Sequence, residues 1–361
     1  MPVVLEQGAS GRSFNLLDGV RCAPADPARS DGAIEIGIVN NMPDAALELT
    51  ERQFIGLLAA ASGKTQVRVR LFALPQIARG DFARRRLLSD YAEIGRLWDT
   101  RLDGLIVTGM EPGPGALPDE PYWRVFTDLI DWAERHTTSS IWSCLAAHAV
   151  VLHRDHIERR PLTAKCFGVY ECMKETNHPL LAGGPARSLV PHSRWNDVPA
   201  DALIGAGYDV LTRSPEMGVD MFAKHERSLF VFLQGHPEYE PTTLLREYRR
   251  DVGRFLRRER EGYPALPRFY LDGASERSLE AFRRRALSTR DPKLLEGFPA
   301  ATIVERLANS WHASALRLYR NWLSCLATRR ERSLHEVTAV ATIYSGQTAL
   351  SGGRRPATGE A

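Results

Sequence analysis

The chain has 361 residues, 43% of them hydrophobic and 25% charged, with a formal net charge of +3. That length allows a sizeable core, as one large domain with an appendage or as two domains, and the composition is that of a soluble globular protein. The small charge neither demands nor excludes a polyanionic partner. The five cysteines, odd in number and without C-x-x-C spacing, argue against a disulfide framework and a zinc site and suit a reducing cytoplasm.

Residues 1–33 are rich in Gly, Ala, Asp, Pro and Arg without periodicity and read as a poorly ordered leader. Ile34 to Asn40 is an apolar run with the character of a strand, closed by Asn41-Met42-Pro43. Asp44 is placed to cap a helix that carries Leu47, Phe54, Leu57, Leu58 and Ala61 at helical spacing. Val67 to Phe72 alternates like a second strand. Asp103 to Gly109 is a third, continuously apolar in the manner of strands buried on both faces of a parallel sheet. Tyr122 to His136 has an amphipathic helical pattern, and Ser139 to Ser143 is a strand feeding Cys144. Ser228 to Leu233 is a later strand leading to His236. From about Thr242 to Arg260 a helix presents Leu244, Leu245, Tyr248, Val252, Phe255 and Leu256 on one face. No stretch approaches the roughly 18 to 20 apolar residues that span a bilayer, so the expected setting is cytoplasmic.

Strands alternating with helices predict an α/β fold with a mostly parallel sheet and helices on both faces. The α/β domain is expected over 34–262. A helical C-terminal extension with Trp311, Tyr319 and Trp322 follows over 263–333, and a mostly disordered tail over 334–361. In such folds functional groups gather at the carboxyl ends of strands. Gly109, Cys144 and His236 all follow apolar strands, so one crevice can hold all three.

The chemistry those residues suggest is acyl transfer through a thiol. A helix beginning at Cys144 directs free backbone N–H groups toward the sulfur, which stabilises the thiolate, and the N–H of Leu145 can support a tetrahedral oxyanion. His236 can move protons, with Glu238 two residues on orienting its ring. His148, one helical turn after Cys144, points along the helix and reads as a packing or surface residue. Gly109-Met110-Glu111-Pro112-Gly113-Pro114-Gly115 is glycine-rich, but its prolines remove the amide donors that a phosphate cradle needs. It reads as a shaped loop over the crevice. The arginines of 246–260 alternate with Glu247, Asp251, Glu259 and Glu261, the pattern of a solvated, salt-bridged face rather than a nucleic-acid surface.

Over about residues 34 to 260, with a shorter echo near 311–323, the chain resembles the homoserine O-succinyltransferase family within the class I glutamine-amidotransferase-like superfamily. The resemblance rests on Asn41-Met42-Pro43, Asp103 to Gly109, Tyr122-Trp123, Cys144, Gly168-Val169-Tyr170-Glu171 and Pro191-His192-Ser193-Arg194. It continues in Gly235-His236-Pro237-Glu238-Tyr239, Glu247, Arg250-Asp251, Trp311 and Asn321-Trp322-Leu323. It implies a flavodoxin-like fold and a ping-pong reaction in methionine biosynthesis. Cys144 takes an acyl group from an acyl-CoA, with succinyl-CoA as co-substrate and no permanently bound cofactor or metal. His236, held by Glu238, then activates the hydroxyl of an amino acid acceptor. By position, Arg250 binds the acceptor carboxylate and Glu247 its ammonium group, while Lys165 and Ser193 match family active-site residues. Gly113 falls where the family selects acyl size, glycine going with succinyl. A homodimer is implied, and neither nucleic acid nor membrane is.

The family commonly carries a lysine just after its Met-Pro, whereas Met42-Pro43 here leads into Asp44-Ala45-Ala46-Leu47-Glu48. Three alternatives stand beside the transferase. They are the same chemistry on serine or with acetyl-CoA, a glutaminase-like amide hydrolase with the same triad, and a non-catalytic binding protein that keeps the fold.

Overall fold

The computed structural model describes residues 3–7, 20–24, 32–111, 113 and 115–350. In chain order its elements begin with β1 (Val3–Gln7), β2 (Val20–Pro24), β3 (Ile34–Val39), α1 (Asp44–Ser62), β4 (Val67–Phe72), α2 (Asp81–Asp90), α3 (Gly95–Trp98) and β5 (Leu102–Val107). They continue with α4 (Trp123–His136), β6 (Thr137–Ser143), α5 (Leu145–Asp155), β7 (Arg160–Lys174), β8 (Arg187–Asp197), α6 (Ala200–Gly205), β9 (Asp209–Ser214), β10 (Gly218–His225) and β11 (Leu229–Leu233). The last are α7 (Thr243–Leu256), α8 (Gly273–Thr289), α9 (Ala300–Val304) and α10 (His312–Leu350).

These strands form one sheet in the order β2-β1-β4-β3-β5-β6-β11-β10-β9-β7-β8. Pairing is parallel from β2 through β11 and antiparallel from there to β8. All six residues of β3 are buried, as expected for a central parallel strand covered on both faces. Phe54 and Leu58 of α1 share one face of the sheet with Tyr319 and Trp322 of α10. Phe126 and Ile130 of α4 and Val150 of α5 cover the other, around Trp142 and Phe232. A third cluster joins Leu244 and Val252 of α7 and Phe282 of α8 to Phe167 and Val169 of β7.

α10 approaches the sheet closely enough to need a glycine beneath it. A Cβ on Gly104 of β5 would lie 2.7 Å from the Trp322 ring and 2.9 Å from Leu326. The Trp322 indole N–H donates to Ser139 Oγ of β6 at 2.9 Å. α10 is thus built onto β5 and β6, the two strands whose ends carry Gly109 and Cys144.

Three expectations are corrected, and one stretch left without assigned elements is filled. The leader contributes β1 and β2, and β1 pairs in parallel with β4. The apolar triplet Val3-Val4-Leu5 is short, so its partner shows only in three dimensions. The remaining leader residues lie outside the described ones. The region expected as a disordered tail is helical as far as Leu350, while 351–361 lie outside the described residues. Asp44 opens α1 without capping it, because its carboxylate instead accepts from the Gly80 N–H and from Arg79. Residues 157–227, where the sequence suggested no element, hold β7 to β10 and α6.

Four adjacent strands, β3, β5, β6 and β11, end on one edge of the sheet and deliver Asn40-Asn41, Thr108-Gly109, Cys144 and Gln234-Gly235-His236 there. The Asn41 N–H donates to Thr108 Oγ1 at 2.8 Å, and the Cys144 N–H to the Leu233 carbonyl at 2.7 Å, tying these ends together. This is the edge at which ligands bind in open α/β sheets.

Candidate active site

Cys144 is the residue between β6 and α5, with φ 52° and ψ −113°. A non-glycine residue at positive φ is strained and persists only where its surroundings impose it. Here the strand on one side, the helix on the other and the bond to Leu233 impose it. The turn leaves the thiol at the first turn of α5, beside the free N–H of Leu145. Gly109, at the end of β5, packs directly on it, since a Cβ there would lie 3.4 Å from Cys144 Cβ and 3.4 Å from the Leu145 N.

His236 and Glu238 leave the end of β11 in a short turn closed by the Tyr239 N–H donating to the His236 carbonyl at 3.1 Å. The His236 N–H donates to the Pro191 carbonyl at 2.8 Å, so β8 holds this turn from the other side. The imidazole lies close enough to Cys144 to interact with it electrostatically, and its Nδ1 stands 2.8 Å from Glu238 Oε1. Burial is the largest influence on the ring and favours its neutral form. The charge and hydrogen bond of Glu238, with the nearby Cys144, outweigh it and hold His236 well above its ordinary value. The surroundings of the ring therefore favour its protonated form.

Gly235 is required by close approach rather than by backbone conformation. A Cβ there would lie 2.5 Å from Val190 Cγ1 and 2.7 Å from both Asp220 Oδ1 and His192 Nε2. His192 is fully buried, accepts from Arg194 Nε at its Nδ1 (3.4 Å) and stands 3.1 Å from Asp220 Oδ1. With Arg194 donating to Nδ1, the ring proton belongs on Nε2, facing the Asp220 carboxylate. This network braces the turn from behind. His148 is buried as well, its Nε2 2.9 Å from Gln234 Oε1, and burial pushes it down to about 4. It is a packing residue that ties α5 to the end of β11.

A second group of side chains meets on α7 and the β7–β8 hairpin. Glu247 Oε1 accepts from the Tyr239 hydroxyl at 2.6 Å, and its Oε2 from the Ser193 hydroxyl and from Lys165 Nζ at 3.4 Å. Lys165 also lies 3.5 Å from Asp251 and 4.0 Å over the Phe167 ring. Arg250 donates to Asp251 Oδ1 at 3.0 Å, and its half-exposed guanidinium passes 3.9 Å from Glu247. Burial raises the Glu247 carboxyl most, but Lys165, then Ser193, Tyr239 and Arg250, more than offset it, and the group is held below the usual carboxylate value. An anion and a cation are thus presented three residues apart on one helix.

A family model for homoserine O-succinyltransferase matches residues 22–332. The chain belongs to the homoserine O-succinyltransferase family. It is 50% identical to a homoserine O-succinyltransferase of Rhodopseudomonas palustris over 85% of this chain and 92% of the relative. A second, from Methylorubrum extorquens, is 48% identical over 82% and 88%. A solved glutamine amidotransferase of Thermotoga maritima is 12% identical, with a TM-score of 0.44 over 82% of this chain and 99% of that one.

Homoserine O-succinyltransferases are acyltransferases, and the residues expected from the sequence fall in this member as follows. Cys144, His236, Glu238 and Leu145 form one group, and Lys165, Ser193, Glu247 and Arg250 another, joined by Tyr239. Gly113 is exposed on the loop after β5, and among the described residues its N–H donates to Glu120. Glu247 and Asp251 are corrected from a solvated face, since Asp251 is buried and both meet Lys165. Their spacing of four residues, with Arg250 between, marks one side of α7 and was the available signal. No spacing rule pointed to Tyr239. Among the described residues no helix is long and apolar enough to cross a membrane.

Proposed function

We propose that the protein transfers the succinyl group of succinyl-CoA to the hydroxyl of homoserine through a thioester on Cys144. The observation that carries this reading is the thiol on its strained turn, beside an imidazole whose Nδ1 is 2.8 Å from Glu238. In the first half-reaction the Cys144 sulfur attacks the thioester carbonyl, and the Leu145 N–H supports the oxyanion. The C–S bond to CoA breaks, and the His236 proton goes to the departing CoA sulfur. In the second, now-neutral His236 takes the proton of the homoserine hydroxyl, whose oxygen attacks the acyl-Cys144 carbonyl; the C–S bond to Cys144 breaks and leaves its thiolate beside the protonated ring. Glu238 keeps the ring oriented and stabilises its protonated form in both directions.

The acceptor's two charged ends match the second group. The Arg250 fork takes its carboxylate, and Glu247, kept anionic by Lys165, takes its ammonium. Gly113 leaves the loop after β5 without a side chain. A Cβ there would already lie 2.9 Å from Glu120 Oε1, so a bulky residue would have to displace Glu120. The donor preference for succinyl over acetyl is assigned to this position.

The test is CoA release from succinyl-CoA or acetyl-CoA with homoserine, serine or no acceptor, in wild type and Cys144→Ala. Turnover that needs succinyl-CoA, homoserine and Cys144 supports the proposal. Equal turnover by Cys144→Ala, or steady-state release from folded wild type with none of these pairs, would refute it.

A further inference from the structure

Tyr239 belongs to both halves of the site. Its ring is stacked on the imidazole of His236, with centroids 4.3 Å apart and planes inclined by 14°. Its hydroxyl donates to Glu247 Oε1 at 2.6 Å. Its main chain is fixed twice more, through the N–H to the His236 carbonyl and through its own carbonyl, which accepts from the Trp311 indole at 2.8 Å. Burial, reinforced by the charge of Glu247, holds the phenol well above its ordinary value, so it remains a donor to that carboxylate.

One rigid ring therefore sets the separation between an imidazole and a carboxylate. On the reading given above, an acceptor must bridge the same two groups, with its hydroxyl at His236 and its ammonium at Glu247. We propose that Tyr239 is a positioning residue that fixes this span and so selects the chain length of the acceptor. A 4-hydroxy amino acid such as homoserine places four bonds between its nitrogen and its hydroxyl oxygen, and a 3-hydroxy amino acid such as serine places three. A fixed carboxylate favours one of these. A carboxylate released from the ring can follow the shorter acceptor toward His236. Ser193 and Lys165 hold only the other oxygen of Glu247, so the tyrosine hydroxyl is the contact that ties the carboxylate to the catalytic turn.

This inference rests on the assignment of Glu247 to the acceptor ammonium, and the experiment separates the two. Tyr239→Phe keeps the ring and removes the hydroxyl. Three quantities are measured in wild type, Tyr239→Phe and Glu247→Gln. They are the burst of CoA release from succinyl-CoA without acceptor, kcat and KM for homoserine, and the ratio of kcat/KM for homoserine to that for serine. A tie between a hydroxyl and a charged group is worth about 10-fold or more. Tyr239→Phe should raise the homoserine KM about 10-fold and lower the homoserine-to-serine ratio by a similar factor, with the burst unchanged and kcat within about threefold. A merely structural role would leave the ratio untouched. If Glu247→Gln leaves the homoserine KM unchanged, the acceptor assignment itself fails and the inference falls with it. If Glu247→Gln raises KM while Tyr239→Phe keeps the wild-type ratio or slows the burst, the assignment stands and the role of Tyr239 is refuted.

Discussion

Trp322 occupies the space that a side chain on Gly104 would need, the Trp322 ring lying 2.7 Å from the position of a Cβ there. The pair joins a helix near the C-terminus to the strand beside the one that carries Cys144. Gly104→Ala should destabilise the fold by about 1–3 kcal/mol through overpacking, and Trp322→Ala by about 3–5 kcal/mol through the cavity it leaves. Urea unfolding of the two variants checks both, and an unchanged midpoint for Gly104→Ala would show that the helix does not press on this strand.

Glu238→Gln leaves the shape of the turn intact but removes the charge that holds His236 oriented and protonated. By comparison with loss of the orienting carboxylate in a hydrolase triad, kcat for succinyl transfer should fall by roughly 10² to 10⁴. Far-UV circular dichroism should match wild type. Wild-type kcat would remove Glu238 from the mechanism.

Arg250→Lys exchanges a two-pronged contact for a point charge. The homoserine KM should rise about 10- to 100-fold, in line with a charged hydrogen bond worth about 1.5–3 kcal/mol. The CoA burst without acceptor should be unaffected. An unchanged KM would take Arg250 out of the acceptor pocket.

His148 gives the fold an acid limit. Burial lowers its folded-state value from 6.5 to about 4, so between those values the unfolded chain binds a proton that the native state refuses. The stability tied to the neutral ring is present above about pH 6.5 and is lost as pH falls toward 4, by up to about 3 kcal/mol. His148→Gln, uncharged throughout, should show a shallower loss of stability over this window. Parallel slopes for wild type and variant would contradict the assignment.

The parallel half of the sheet could be read from the chain because β3, β5 and β11 are short, mainly apolar runs, and β6, though rich in Ser and Thr, carries Ile141-Trp142 just before Cys144. Cys144, His236 and Glu238 were legible for the same reason, since each lies where one of those runs stops. The antiparallel half was not. β7 exposes Arg160, Pro161, Thr163 and Ala164 before its buried centre, and no simple alternation survives. Glu247 and Asp251 were read as solvated because their cation, Lys165, lies 82 and 86 residues away along the chain. Tyr239 was hidden because its two functional contacts, a stacked ring and a distant carboxylate, leave no trace in spacing.

The bond from Trp311 to the Tyr239 carbonyl spans 72 residues. During synthesis the ribosome therefore releases Cys144, His236 and Glu238 well before it makes the indole that anchors their neighbour. Until that tryptophan arrives, the nascent chain carries all three side chains without the indole bond that fixes Tyr239.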